Sequence, residues 1–174
     1  MPITVISTGT WITVFSIGGK NINIKEQKGV MVSCDCFGNK TPNFRFPGGK
    51  IFENNLKTKN KFKNMKLELN SSDIDLINFE NIEGAKFFDN KSNKEIKLDE
   101  FNYESVEHTI SEVLARKTLL GLEMIEADGK ILLSGPFIKN KSYLSMIKNN
   151  WKNSVIIEDD YLGLCNGIAN LINN

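Results

Sequence analysis

Three short stretches combine residue types that could do chemistry. Ser7-Thr8-Gly9-Thr10 interrupts the apolar, β-branched run MPITVISTGTWITVF and sets three hydroxyls around a glycine. Backbone N–H groups at the apex of a strand–turn–strand can converge on an anion, and flanking hydroxyls add donors. A plain tight hairpin is the competing reading. In ILLSGPFIKN, residues 131–140, a buried strand ends at Gly135 and a helix begins at Asn140. Ligands of mixed sheets favour the loops beyond strand C-termini, and glycine permits close backbone approach. A simple strand-to-helix turn competes here. In GLCNGIA, residues 163–169, Gly163 and Gly167 are four apart and share one helix face. Each costs the helix roughly 1 kcal/mol relative to alanine. Close packing against a strand could offset that, and so could a flat ligand.

Two further groups read as structural. Cys34 and Cys36 lie at i and i+2, so on a strand they point to one face. Two zinc ligands would sit this way, but there is no second Cys/His pair, and His108 is the single histidine. Small buried core residues are the expectation for both cysteines. With Cys165 the count is three, which does not read as a disulfide framework, and a reduced, cytoplasmic setting is expected. His108, beside Glu107 and Glu112, is expected on a solvated helix face.

The elements that must position these residues belong to a chain of ordinary globular composition. The 174 residues suit one domain, with 40% hydrophobic and 25% charged residues. A net charge of +1 implies no general attraction to nucleic acid or membrane. Arg45 and Arg116 are the only arginines, a lysine bias read as compositional rather than functional. No apolar run reaches 18 residues, and the N-terminus lacks the basic region of a secretory signal. Residues 3–7, 11–17 and 30–37 read as strands, Phe37 to Lys40 as a turn, and Pro47-Gly48-Gly49 as a break before a short helix start. Residues 54–98 read as a surface insertion with short elements, because Leu67, Leu69, Ile74, Leu76, Ile77, Phe79, Phe87 and Phe88 are too many apolar residues for a solvated tail. Apolar residues at three- and four-residue steps predict a helix over 102–127, capped by Asn102 and ended by Asp128-Gly129. Strand 131–134, a helix from Asn140 to Trp151, strand 154–158 and a last helix capped by Asp159 or Asp160 complete the order. Such an order indicates an α/β domain, an opening β-meander joined to a mixed sheet with helices packed on it.

The order and spacing of STGTW, DCFGNKTPNFRFPGGKIFE, SGPFIKN and a terminal Gly-rich helix resemble the second domain of FGGY-family carbohydrate kinases, over nearly the whole chain and least at 54–98. The branch resembled most is that of L-fuculose and L-rhamnulose kinase-like proteins. The resemblance implies a ribonuclease H-like domain of the actin/hexokinase/Hsp70 superfamily spanning 1–174. It implies ATP and Mg2+ as cofactors and a sugar hydroxyl as acceptor of the γ-phosphoryl group. By the same resemblance Ser7, Thr8, Gly9 and Thr10 form a phosphate loop. Gly135, Pro136, Phe137 and Asn140 lie along the adenosine, and Gly163 and Gly167 lie beside the nucleotide.

Two departures stand out. Pro136 replaces a common family glycine and removes a backbone donor, so contact there would be by shape. Gly167-Ile168-Ala169 is bulkier than the family's Gly-Ala-Ala. The family's catalytic aspartate lies upstream of the STGT strand, whereas the first carboxylate here is Glu26. No catalytic residue is therefore assigned. The chain is expected to be the ATP-binding half of a kinase, inactive without an N-terminal half as partner. A non-catalytic remnant or partner-binding module is the alternative, and a small metal or redox protein built on Cys34 and Cys36 a third.

Overall fold

The computed structural model describes residues 2–19, 24, 28–57, 71–80, 82–96 and 106–158. β1 (Ile3–Thr8) and β2 (Ile12–Ile17) form an antiparallel hairpin, in register from Ile3 opposite Ile17 to Thr8 opposite Ile12. β8 (Lys130–Ser134) lies parallel to β1, with Ser7 opposite Ser134. β9 (Val155–Glu158) lies parallel to β8. On the other side come β4 (Lys40–Phe46) and then the edge strand β3 (Val30–Cys34). The sheet order is β3-β4-β2-β1-β8-β9. This is the expected mixed sheet, with strands near 3–7 and 131–134 side by side.

β4 was not foreseen. The expected turn at Phe37 to Lys40 overlaps its first residue, and KTPNFRF carries Pro42 and Asn43, which strands disfavour. The strand survives because its ladder to β2 begins at Asn43, while Pro42 faces only β3. β4 therefore separates β3 from β2 and leaves β3 at the edge. Cys34 and Cys36 are consequently exposed, not buried core residues. β3 also stops at Cys34, because the Asp35 carboxylate accepts the N–H groups of Phe37 (2.9 Å) and Asn39 (2.8 Å) and turns the chain.

Alternation on the strands puts Ile6, Ile12, Val14, Phe44, Phe46, Ile131 and Leu133 on one face, all fully buried. Against them packs α2 (Val106–Met124) through Ile110, Val113 and Leu114. The helix stops before the expected boundary. Glu126 takes the left-handed conformation (φ 48°), and Ala127 N–H reaches Leu122 O at 2.9 Å, a Schellman stop built on glutamate. The expected cap Asn102 lies outside the described residues, as do the last helix and its caps.

The short elements within 54–98 include a second sheet of three antiparallel strands, β5 (Ile74–Ile77), β6 (Lys86–Asp89) and β7 (Lys94–Ile96). Ile74, Leu76, Phe79, Phe87 and Ile96 join the common core. Arg116 fastens this sheet to α2 by donating to the carbonyls of Ser71 and Ile74. Two further helices among the described residues are α1 (Gly48–Lys57) and α3 (Lys141–Asn150). His108 is solvated as expected, and its ring lies 2.8 Å from Ser142 Oγ and 3.3 Å from Glu112.

Candidate functional site

The β1–β2 turn and the segment after β8 meet at one end of the main sheet because β1 and β8 run parallel and end together. Thr8 joins them. Its hydroxyl donates to Ser134 O at 2.7 Å and accepts from Phe137 N–H at 3.2 Å. Thr8 is 3% exposed, so this hydroxyl is an internal strut rather than a ligand donor. Gly135 sits on the same strut at φ 94°, and a Cβ there would lie 1.8 Å from Thr8 O. Only glycine allows that approach.

On this base sits a cavity of about 270 Å³. Gly9 and Thr10 form one side of it, and Pro136, Phe137 and Asn140 another. The third side is the first turns of α1, through Gly49, Phe52 and Glu53. Phe52 and Phe137 meet edge-to-face at 5.1 Å, and Phe137 meets Tyr143 in the same manner at 4.9 Å. This aromatic run ties the cavity wall to the core. Tyr143 is fully buried, its hydroxyl 2.9 Å from Thr118 Oγ1. Burial pushes that phenol well above its ordinary pKa.

Local chemistry explains each wall. Asn140 caps α3, as expected, by accepting from Tyr143 N–H at 3.0 Å, and it donates to Ser111 Oγ at 2.8 Å. An amide has two N–H donors and two acceptor sites, and these two bonds use one of each. Lys50 N–H donates to Thr10 O at 3.1 Å, fixing the start of α1 against the loop. A Cβ on Gly49 would lie 1.7 Å from Gly9 O. Glu53 pairs with Lys50 Nζ at 3.0 Å.

Of the expected site residues, Gly9, Thr10, Pro136, Phe137 and Asn140 thus share one cavity, while Thr8 and Gly135 support it from beneath. Ser7 is exposed on the opposite face of β1 from Thr8, so it is not on the cavity wall. Gly163 and Gly167 lie outside the described residues. One expectation changes. Gly9 N–H is already donated to Trp11 O at 3.0 Å, so it is not presented to an anion in this conformation, whereas Thr10 is exposed. Gly9 also has room for a side chain, since the atom nearest an added Cβ is 3.9 Å away. The glycine that forbids one is Gly49. Sequence reasoning missed Gly49, Phe52 and Glu53. Their i, i+3, i+4 spacing after PGG was the available signal, because it places all three on one face of a helix.

A family model described as carbohydrate kinase FGGY, C-terminal domain, matches residues 1–174. The chain belongs to this family. The FGGY domain matches no curated protein by sequence. Among solved structures it is similar to a carbohydrate kinase from Novosphingobium aromaticivorans, with TM-score 0.66 and 16% identity over 92% of this chain and 37% of that one. It is also similar to xylulose kinase from Bifidobacterium adolescentis, with TM-score 0.61 and 18% identity over 92% of this chain and 34% of that one. The FGGY domain thus spans little more than a third of these structural relatives. Its mixed six-stranded sheet with packed helices fits the ribonuclease H-like fold expected of the family. Among the described residues no group of His, Cys, Asp or Glu is arranged to hold a metal, and no helix is long and apolar enough to cross a membrane.

Proposed function

We propose that this domain is the ATP-binding half of a carbohydrate kinase and that its cavity takes the adenosine end of the nucleotide. One observation carries the reading: two loops that lie 126 residues apart at Thr8 and Ser134 open into a single cavity with an aromatic wall. Its volume, about 270 Å³, falls just below the roughly 300–1,000 Å³ typical of sites for whole drug-sized ligands. That suits a nucleoside and leaves the phosphates at the Thr10 side. Phe52 and Phe137 offer apolar surface to the base. Asn140 offers its amide to the edge of the base, and the Thr10 hydroxyl is available to a phosphate oxygen. Mg2+ would be held mainly by phosphates and water, as this ion commonly is.

The acceptor in this reading is a sugar hydroxyl, on a ketose such as a pentulose or deoxyhexulose, with the L-fuculose/L-rhamnulose kinase-like branch suggested by STGTW and PGGKIFE. An N-terminal kinase half supplies the sugar site and the carboxylate that deprotonates or orients the hydroxyl. The exposed free thiols of Cys34 and Cys36 suit a reducing cytoplasm.

Titration of the ¹⁵N-labelled chain with ADP tests the site. Amide shifts are expected at Gly9, Thr10, Phe52 and Phe137, with sugar-dependent ATP hydrolysis at background until an N-terminal half is added. Absence of those shifts at millimolar ADP, or their concentration elsewhere on the surface, refutes the adenosine site. Robust sugar phosphorylation by the chain alone refutes the half-enzyme reading.

A further inference from the structure

The cavity's charge does not suit the ligand proposed for it. Among the described residues on its wall the one ionisable group is Glu53, a carboxylate. Nucleotide phosphates entering this cavity meet a group of their own sign on its wall, and like charges repel. A protein cation can offset it, beside any Mg2+ the phosphates carry. One cation bonded to Glu53 is Lys50, whose Nζ lies 3.0 Å from Glu53 Oε2. The main chain of Lys50 is pinned to the same loop, its N–H donating to Thr10 O at 3.1 Å.

We propose that the Lys50–Glu53 pair is a charge switch for nucleotide: Glu53 holds the Lys50 ammonium in the ligand-free domain, and the phosphates take it over on binding. The proposal rests on the nucleotide reading above. Both side chains are substantially exposed, at 35% and 49%, so their pairing contributes little to stability and is readily exchanged. Lysine suits the exchange, since its ammonium rides on a flexible four-carbon stem with three rotatable donors. The anchor does not move with it, because Gly49 packs directly on Gly9. A purely helical role for the pair, as an i, i+3 contact on α1, predicts effects on stability and none on ligand charge preference.

The test is the affinity of the full chain for adenosine and for ADP, measured side by side by amide-shift titration. Lys50→Met is expected to weaken ADP about tenfold, the loss of one charge-assisted hydrogen bond, and to leave adenosine unchanged. Lys50→Arg should retain ADP binding. Glu53→Gln should tighten ADP, because the competing carboxylate is gone. Lys139→Met, which removes an exposed cation on the segment after β8, should change neither ligand. The switch is overturned if Lys50→Met weakens both ligands equally or neither, if Glu53→Gln weakens ADP, or if Lys139→Met proves the costlier change for ADP. In those cases the wild-type chain still binds adenosine and ADP, and the nucleotide site stands. If the wild type binds neither ligand, the nucleotide reading fails and the switch falls with it.

Discussion

Gly49→Ala is the perturbation that best separates this architecture from an ordinary helix start beside an ordinary hairpin. An added Cβ would lie 1.7 Å from Gly9 O and 2.7 Å from its carbonyl carbon, and Cβ contacts under 3.0 Å essentially do not occur. The loop or the helix must therefore retreat by roughly 1.3 Å, the difference between those two limits. Such overpacking costs about 1–3 kcal/mol. The retreat also strains the Lys50 N–H to Thr10 O bond, worth about 1 kcal/mol. Alanine returns up to about 1 kcal/mol of helix propensity. The net expectation is a loss of about 2 kcal/mol, a fall in Tm of about 4–8 °C for a chain of this size. Gly9→Ala is the control, since its nearest neighbour is 3.9 Å away and its effect should stay within about 0.5 kcal/mol. Urea unfolding followed by far-UV circular dichroism reads both, at unchanged m-value. A Gly49→Ala protein as stable as wild type, or less affected than Gly9→Ala, would show that α1 does not rest on the 9–10 turn.

Three further outcomes follow from individual contacts. Thr8→Val leaves Phe137 N–H without its acceptor and Ser134 O without its side-chain donor, and should cost about 1–3 kcal/mol in urea unfolding; a neutral result would mean the strut is not formed. Tyr143 stays protonated in the native state well above the pH at which the unfolded side chain ionises. Its contribution to stability is therefore complete below about pH 10 and declines as pH rises past that value, and Tyr143→Phe should remove this part of the alkaline slope. Lys117 is 6% exposed, 4.0 Å from the Phe79 ring centroid and 3.9 Å from Asp75. Asp75 is half exposed and stays solvated when its partner goes, while an apolar isostere avoids desolvating the lysine's charge; Lys117→Met should therefore change stability by less than about 1 kcal/mol or raise it, and a loss of several kcal/mol would show that the ion pair dominates.

Much of the main sheet was legible because its strands carry their own signal. β1, β2, β8 and β9 are β-branched or leucine-rich runs bounded by turn residues, and their edges fall within a residue of expectation. β4 was hidden because Pro42 is disfavoured in a strand in general, and only the sheet order reveals that its missing N–H faces no β2 partner. The cysteines were misplaced for the same reason. A small apolar residue on a strand signals a core position only if the strand is interior, and β3 became an edge strand once β4 took the place beside β2. The site divides along the same line. That the chain turns at Gly9-Thr10 is local, and was readable, although Ser7 and Thr8 belong to β1 and not to the loop expected over 7–10. Which hydroxyl points inward is set by strand parity against β8, a partner 126 residues away at Ser134, so Thr8 and Thr10 could not be told apart from sequence. Gly49 was least legible, because its requirement for glycine comes from the carbonyl of Gly9 and not from its own backbone conformation. A PGG run reads as a loop whether or not anything packs on it. The most constrained position in the cavity is thus a contact between two segments that look unremarkable apart, and substitutions at Gly49 should report on the 9–10 turn more directly than substitutions within the turn itself.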